Sequence, residues 1–370
     1  MNALSLEERT ALRDAMQRLM RDACGETQVR AAMETQQGYD EDLWQQLSQM
    51  GITGLMIAED FGGSGVGPME LEAVMEEAGA ALLSAPILAS SVIAAELIRS
   101  LGDDDFSQRL LPQLASGAMI ATAVLGSDGG RWDPQDIGIT ARQVNGDWQL
   151  NGLGNYVLHG QNANVLIVIA DVAGSLCAFE VDVKQPGLVI EALPTFDRTL
   201  RLAKIDFAAV SGHRINHTND VSQAVRQALD LGLVGLAGEQ SGGANKVLQD
   251  TVEYAKTRIQ FGRQIGSFQA IKHMAAELLV ETESAISAAR DAAAALAQDR
   301  ADKDQAISLA AFACADAYVR TTADSVQMHG GIAFTWEHPT HLYLRRARAN
   351  AQLLGDSDHH RERYLQALGA

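Results

Sequence analysis

The sequence predicts an α+β chain in which a sheet is segregated between two helical blocks. Three observations predict it: a helical apolar period over roughly the first 117 residues, a change to short β-rich runs, and a return to helical period in much longer segments.

From Leu4 to about Gly117 the apolar residues recur at helical spacing, as in Leu43, Leu47 and Met50, or Leu71, Val74, Met75 and Ala78. Residues 1–117 are therefore read as an N-terminal helical domain. From Met119 to about Val210 the runs Val165 to Ile169, Leu176 to Val181 and Leu188 to Ile190 read as strands, and Val144-Asn145-Gly146-Asp147 is a hairpin turn signal. Residues 118–215 become a middle β domain, a small barrel or a sandwich. Beyond Asn219 come three long helical segments, roughly Val221 to Gln260, Ser267 to Asp299 and Asp304 to His329. Long helices with short connections pack antiparallel, so residues 216–370 are read as a C-terminal helical bundle.

Composition narrows the function. A chain of 370 residues with 47% apolar and 21% charged content is long enough to bury a core. No apolar run approaches the ~20 residues of a membrane span, and Met1 to Arg21 has a charged helical pattern unlike a secretory leader. Cys24, Cys177 and Cys314 are isolated, which suggests neither a disulfide framework nor a cysteine zinc site. A soluble cytoplasmic protein is expected. With 29 basic and 47 acidic residues the formal charge is -18, which repels nucleic acid. Any anionic ligand must be held by a few local cations and helix N-termini.

Neither a strand-to-helix GxGxxG nor a GxxxxGK[ST] occurs, so Rossmann and P-loop sites find no support, and without HExxH the histidines do not suggest a metal. Gly232, Gly235, Gly238, Gly242 and Gly243 interrupt an otherwise helical stretch, each costing about 1 kcal/mol relative to alanine. Something approaches that helix closely, either another helix or a ligand. The run Tyr254-Ala-Lys-Thr-Arg258-Ile-Gln260-Phe261-Gly262-Arg263-Gln-Ile265-Gly266-Ser-Phe268-Gln269 then ends one helix and starts another. It sets Arg258, whose planar fork suits phosphate, beside the N-H groups of a helix start, with Phe261, Ile265 and Phe268 expected to pack among them.

This run resembles a signature of the acyl-CoA dehydrogenase family. Gln327-Met-His-Gly330-Gly331 is similar to a second signature, and Glu59-Asp-Phe-Gly62-Gly63-Ser-Gly65 to an N-terminal one, in the family's order and separations. QMHGGIAFTWEHPTHLYLRRA and FDRTLRLAKIDF resemble the bacterial branch that acts on steroid side chains and other bulky acyl-CoAs. The resemblance implies the family fold: an N-terminal helical domain, a middle β-sheet domain and a C-terminal four-helix bundle. It implies FAD held by Arg258, Gln260, Phe261, Ile265, Gln269, Gln327, Gly330 and Gly331, with a neighbouring subunit completing the adenosine diphosphate end. Thr122 and Ser127 lie where the family's middle-domain flavin contacts fall. The implied reaction is α,β-desaturation of an acyl-CoA, with electrons passed to an electron-transfer flavoprotein, in a homotetramer or in an α2β2 heterotetramer with a related chain.

The chain departs from the family where the catalytic glutamate usually stands: Leu354 precedes Gly355, and Gly232 occupies the alternative position early in the long helix. The steroid-type element is matched by Ala237-Gly238-Glu239-Gln240-Ser241-Gly242-Gly243, which makes Glu239 the candidate base and Asp356 the second candidate; the bland alternative for Glu239 is a structural ion-pair partner or a solvated helix residue. In place of the family's K-x-W-I-T stands Gly154-Asn155-Tyr156-Val157-Leu158. Two rival readings follow from the missing glutamates: a non-catalytic partner subunit, or a flavin monooxygenase on the same scaffold.

Overall fold

The computed structural model describes residues 4–125 and 137–369. Among the described residues the α-helices α1 (Leu6–Ala23), α2 (Glu26–Glu34), α3 (Glu41–Gln49), α4 (Pro68–Ala80), α5 (Ala95–Leu101) and α6 (Asp104–Ala115) come first, with a π-helical stretch, Ile87–Ala94, leading into α5. Their starts follow from capping. Ser5 and Glu8 form a reciprocal capping box at α1, and Asp40 and Asp103 accept the free N-H groups that open α3 and α6.

The sheet follows, as β1 (Ala121–Val124), β2 (Ile139–Val144), β3 (Asp147–Leu158), β4 (Val165–Val172), β5 (Ser175–Asp182), β6 (Leu188–Ala192) and β7 (Leu202–Arg214). The order is β1-β4-β2-β3-β7-β5, with β6 on β7, and β5 also pairs with β4. The β7–β5 and β5–β4 pairings together close the sheet on itself, so of the two expected architectures the barrel is the one formed. Asn145 and Gly146 both have positive φ, 55° and 97°, in the two-residue turn between Val144 and Asp147 that the sequence signalled. Val124, Leu150, Leu166, Val168, Phe179, Ile205 and Phe207 fill the barrel core.

The long helices are α7 (Val221–Thr257), α8 (Gln269–Ala297) and α9 (Lys303–His329), with a hairpin of β8 (Ile259–Gln260) and β9 (Arg263–Gln264) between the first two. Two shorter helices, α10 (Thr340–Asn350) and α11 (Ser357–Leu368), complete the chain. By internal contact the chain forms two units: Ala32–Gly67 with Ser84–Gly232, and Leu4–Ala31, Pro68–Leu83 and Leu233–Ala370. The first holds the barrel. The second groups α1 and α4 with the C-terminal helices.

Within that second unit α4 is buried on nearly every side, carboxylates included. Glu70 pairs with Arg9 at 2.9 Å, and Glu76 with Arg13 at 2.8 Å and Arg290 at 3.2 Å. Burial, and then the charge of Glu76, push the Glu72 carboxyl up to about 8. Among the described residues no helix is long and apolar enough to cross a membrane, and no group of three His, Cys, Asp or Glu is placed to hold a metal.

Candidate active site

The glycines of α7 have a structural tenant. A Cβ on Gly238 would press on the Glu72 carbonyl, one on Gly242 would overlap the Glu76 carbonyl, and one on Gly79 of α4 would overlap the Glu239 carbonyl. Glycine at these three positions lets α4 and α7 meet backbone to backbone. A Cβ on Gly243 would enter the ring of Tyr318 on α9. Close helix packing, rather than a ligand, therefore accounts for Gly238, Gly242 and Gly243.

Glu239 lies on the same stretch and is 8% exposed. Its Oε1 accepts hydrogen bonds from Arg346 Nη1 at 2.6 Å and from Asn350 Nδ2 at 2.8 Å, both on α10. The Arg346 guanidinium also reaches the Leu83 carbonyl at 3.3 and 3.4 Å. The candidate base is thus one member of a buried ion pair. Asp356, the second candidate, is exposed at the start of α11, where its carboxylate accepts the His359 N-H at 2.8 Å. Leu354 is buried.

A different cluster forms where α7 and α9 end. Tyr254 stacks on His329 with ring centroids 4.3 Å apart, and His338 meets His329 edge-on at 4.7 Å. Burial holds both imidazoles below their usual range. The stack brings together Arg258, one turn beyond Tyr254, and the Gln327-to-Gly331 turn that carries His329. Among the described residues Arg258 has no ion pair or side-chain hydrogen bond, and the exposed amides of Gln260, Gln269 and Gln327 have no hydrogen bond. A Cβ added at Gly330 or Gly331 would meet nothing within 4 Å. No side chain caps α8, so its first N-H groups add further donors. An unpaired guanidinium, amides and open backbone at the ends of α7 and α9 and the start of α8 are groups able to bind a pyrophosphate.

Phe261, Ile265 and Phe268 were expected to pack together beside Arg258. Ile265 and Phe268 are half-buried, but Phe261 is 91% exposed, meeting Phe268 only edge-on at 6.1 Å. The reason is the turn: Phe261 and Gly262 both have positive φ, 54° and 77°, which closes the hairpin and throws the phenyl ring outward. From Glu239 to this surface is about 27 Å along α7, at 1.5 Å per residue.

In the barrel unit Thr122 is buried on β1, and its hydroxyl donates to the Leu158 carbonyl at 2.7 Å. Nearby, β3 bulges between Gly154 and Val157, leaving Tyr156 at φ 56° and half out of the core. Ser127 lies outside the described residues.

Sequence reasoning missed Arg346, Asn350 and the carboxylates of α4. The signal for the first two was present: on α10 the buried positions Leu342, Tyr343, Arg346, Ala347 and Asn350 form one helical stripe, and an arginine within such a stripe requires a buried counter-charge.

Models of the acyl-CoA dehydrogenase N-terminal domain and C-terminal domain match residues 6–118 and 222–369. The acyl-CoA dehydrogenase IpdE2 of Mycobacterium tuberculosis is 35% identical over 94% of this chain and 93% of its own length. The solved ChsE4-ChsE5 complex from Mycobacterium tuberculosis superposes with a TM-score of 0.90 at 26% identity, covering 100% of this chain and 99% of that one. A chain of the Tcur3481-Tcur3483 steroid ACAD, solved as a point variant, gives 0.87 at 27% identity over 98% of both.

Proposed function

The chain belongs to the acyl-CoA dehydrogenase family, and on that premise we propose that it is a subunit of a flavin-dependent enzyme that desaturates a bulky acyl-CoA thioester between its α and β carbons. The unpaired Arg258 guanidinium, one turn beyond the Tyr254–His329 stack that leads into Gly330 and Gly331, carries this reading. Arg258 would bind the FAD pyrophosphate, with Gln260, Gln269 and Gln327 as amide partners and Phe261 and Ile265 as walls of the adenosine end. Thr122 and Ser127 are proposed as flavin contacts from the β region. Bound FAD would supply the acceptor for the β hydride. A phenyl ring as exposed as Phe261 supports completion of the cofactor site by a neighbouring subunit.

The origin of the base divides the proposal. If Glu239 takes the α proton, its carboxylate must give up a buried pair with Arg346 and a hydrogen bond from Asn350, which is costly. That pairing favours a second arrangement, in which this chain supplies structure and half of the FAD site while a related chain supplies the base. One of the similar solved structures is named as a ChsE4-ChsE5 complex, and another, named with two designations, as a steroid enzyme. An α2β2 heterotetramer accepting a steroid-like acyl-CoA and passing electrons to an electron-transfer flavoprotein extends that precedent to this chain, with a homotetramer as its counterpart if Glu239 is the base.

Absorption spectra of the chain purified alone and with the product of its neighbouring gene test the reading. Flavin bands that bleach anaerobically on addition of a steroid-like acyl-CoA are expected in at least one preparation, and bleaching only with the partner identifies the heteromeric form. Colourless protein in both would overturn the assignment.

A further inference from the structure

Under the turn that follows α10 lies a small cavity of about 10 Å³, a volume close to that of one water. Its walls are aliphatic side chains of α7 and α9 with Leu353 and Gly355 of the turn, and its polar groups come from Gln240, Asn350 and His360. Asn350 and His360 are each 2% exposed, yet Asn350 Oδ1 and both ring nitrogens of His360 make no hydrogen bond to the protein. The Leu354 and Gly355 backbone comes close enough to the His360 ring to favour its protonated form, short of hydrogen-bond geometry at either nitrogen, and a Cβ on Gly355 would stand 3.0 Å from Nε2. Burial keeps the imidazole neutral, so it offers one donor and one acceptor. Buried polar atoms in folded proteins almost always find a partner, and a polar cavity of single-water size supplies one.

We propose that one buried water bridges Asn350 Oδ1 and His360, and that this bridge positions the turn at Leu353, Leu354 and Gly355. Leu354 has φ 59° and Gly355 φ 109°. A leucine in the left-handed region is strained and persists only when its surroundings hold it there. The other side of Asn350 is already fixed, since its Nδ2 donates to Glu239 at 2.8 Å and its carbonyl accepts from Gln240 at 3.3 Å. The water completes a chain of contacts from α7 through α10 to α11. One part of the inference rests on the proposed function: that this turn borders the thioester, as the family's Glu-Gly position implies. On that footing His360 and Asn350 are positioning residues, with no contact to substrate.

The test uses the intact assembled protein and the variants His360→Phe, Asn350→Leu, their double, and His360→Gln. With a shared water, each apolar single lowers the melting temperature by roughly 3–8 °C, and the double costs clearly less than the sum because the water leaves with the first substitution. His360→Gln, which keeps a donor and an acceptor, recovers most of the loss. Ordered density within hydrogen-bonding distance of Asn350 Oδ1 and a His360 ring nitrogen in a crystal of the wild type is the independent check, and serves if the apolar variants fail to fold. Singles at or above wild-type stability, strictly additive losses, or a dry cavity in the crystal would overturn the bridge. In the active assembly His360→Phe is expected to lower kcat roughly ten- to hundredfold with KM nearly unchanged. If the bridge is found and turnover stays at the wild-type level, the positioning role fails while the water site stands.

Discussion

Arg346 donates to the Glu239 carboxylate at 2.6 Å, and neither side chain is more than 11% exposed. Removing either charge breaks this buried pair. Glu239→Gln should therefore lose roughly 3–5 kcal/mol of stability, and Glu239→Gln combined with Arg346→Met should recover much of it. Urea unfolding of the single and double variants measures both. A Glu239→Gln protein that melts like the wild type yet no longer bleaches its flavin would instead mark Glu239 as the base.

Arg258 makes no ion pair within the described chain, so its loss should spare the fold. Arg258→Ala is expected to unfold at the wild-type temperature when flavin is stripped and to bind FAD roughly 10- to 100-fold more weakly, the worth of one charge-assisted phosphate contact. Titration of the stripped protein with FAD reads this directly.

Two glycine substitutions should behave oppositely. Gly242→Ala drives a Cβ into the Glu76 carbonyl, and the separation of α4 from α7 should cost about 1–3 kcal/mol despite the better helix propensity. Gly331→Ala meets nothing within 4 Å and should change stability by less than ~0.5 kcal/mol while weakening flavin retention. Thermal melts paired with flavin content separate the two.

Burial, with His359 and Arg363 on the same helix adding like charge, brings His360 down to about 4 from an ordinary 6.5. Because the folded value is the lower one, the unfolded chain binds more protons between pH 6.5 and 4, and stability is complete above that window and falls as pH drops through it. This contribution amounts to at most about 3 kcal/mol. His360→Gln should flatten the acid side of the melting temperature against pH, and an unchanged slope would place the acid sensitivity elsewhere, with Glu72 excluded by its opposite shift.

The arrangement of helix, sheet and helix was legible because hydrophobic period is local: Leu43, Leu47 and Met50 announce α3 without reference to the rest of the chain. The Asn145–Gly146 turn was legible for the same reason. The closing of the barrel was not, since it depends on Phe179 meeting Arg214 and Glu180 meeting His213 across the sheet, pairings no local pattern specifies. Arg258, Gln327 and the two following glycines stood out as runs of unusual residues. Glu239 stood out too, but its partner lies 107 positions away, and only the fold could show what faces it.

The carboxylates of α4 set the order in which the protein can be completed. Arg9 and Arg13 on α1 leave the ribosome before α4, whereas Arg290 follows Glu76 by 214 positions. Until α8 and the glycine face of α7 arrive, Glu72 and Glu76 have only part of their counter-charge and the apolar side of α4 has no cover. Closing so long a loop is slow compared with forming the helices themselves. The unit built from both ends of the chain is therefore finished after synthesis, and a nascent chain halted before Arg290 would present α1 and α4 to chaperones and proteases along the face that the mature protein hides.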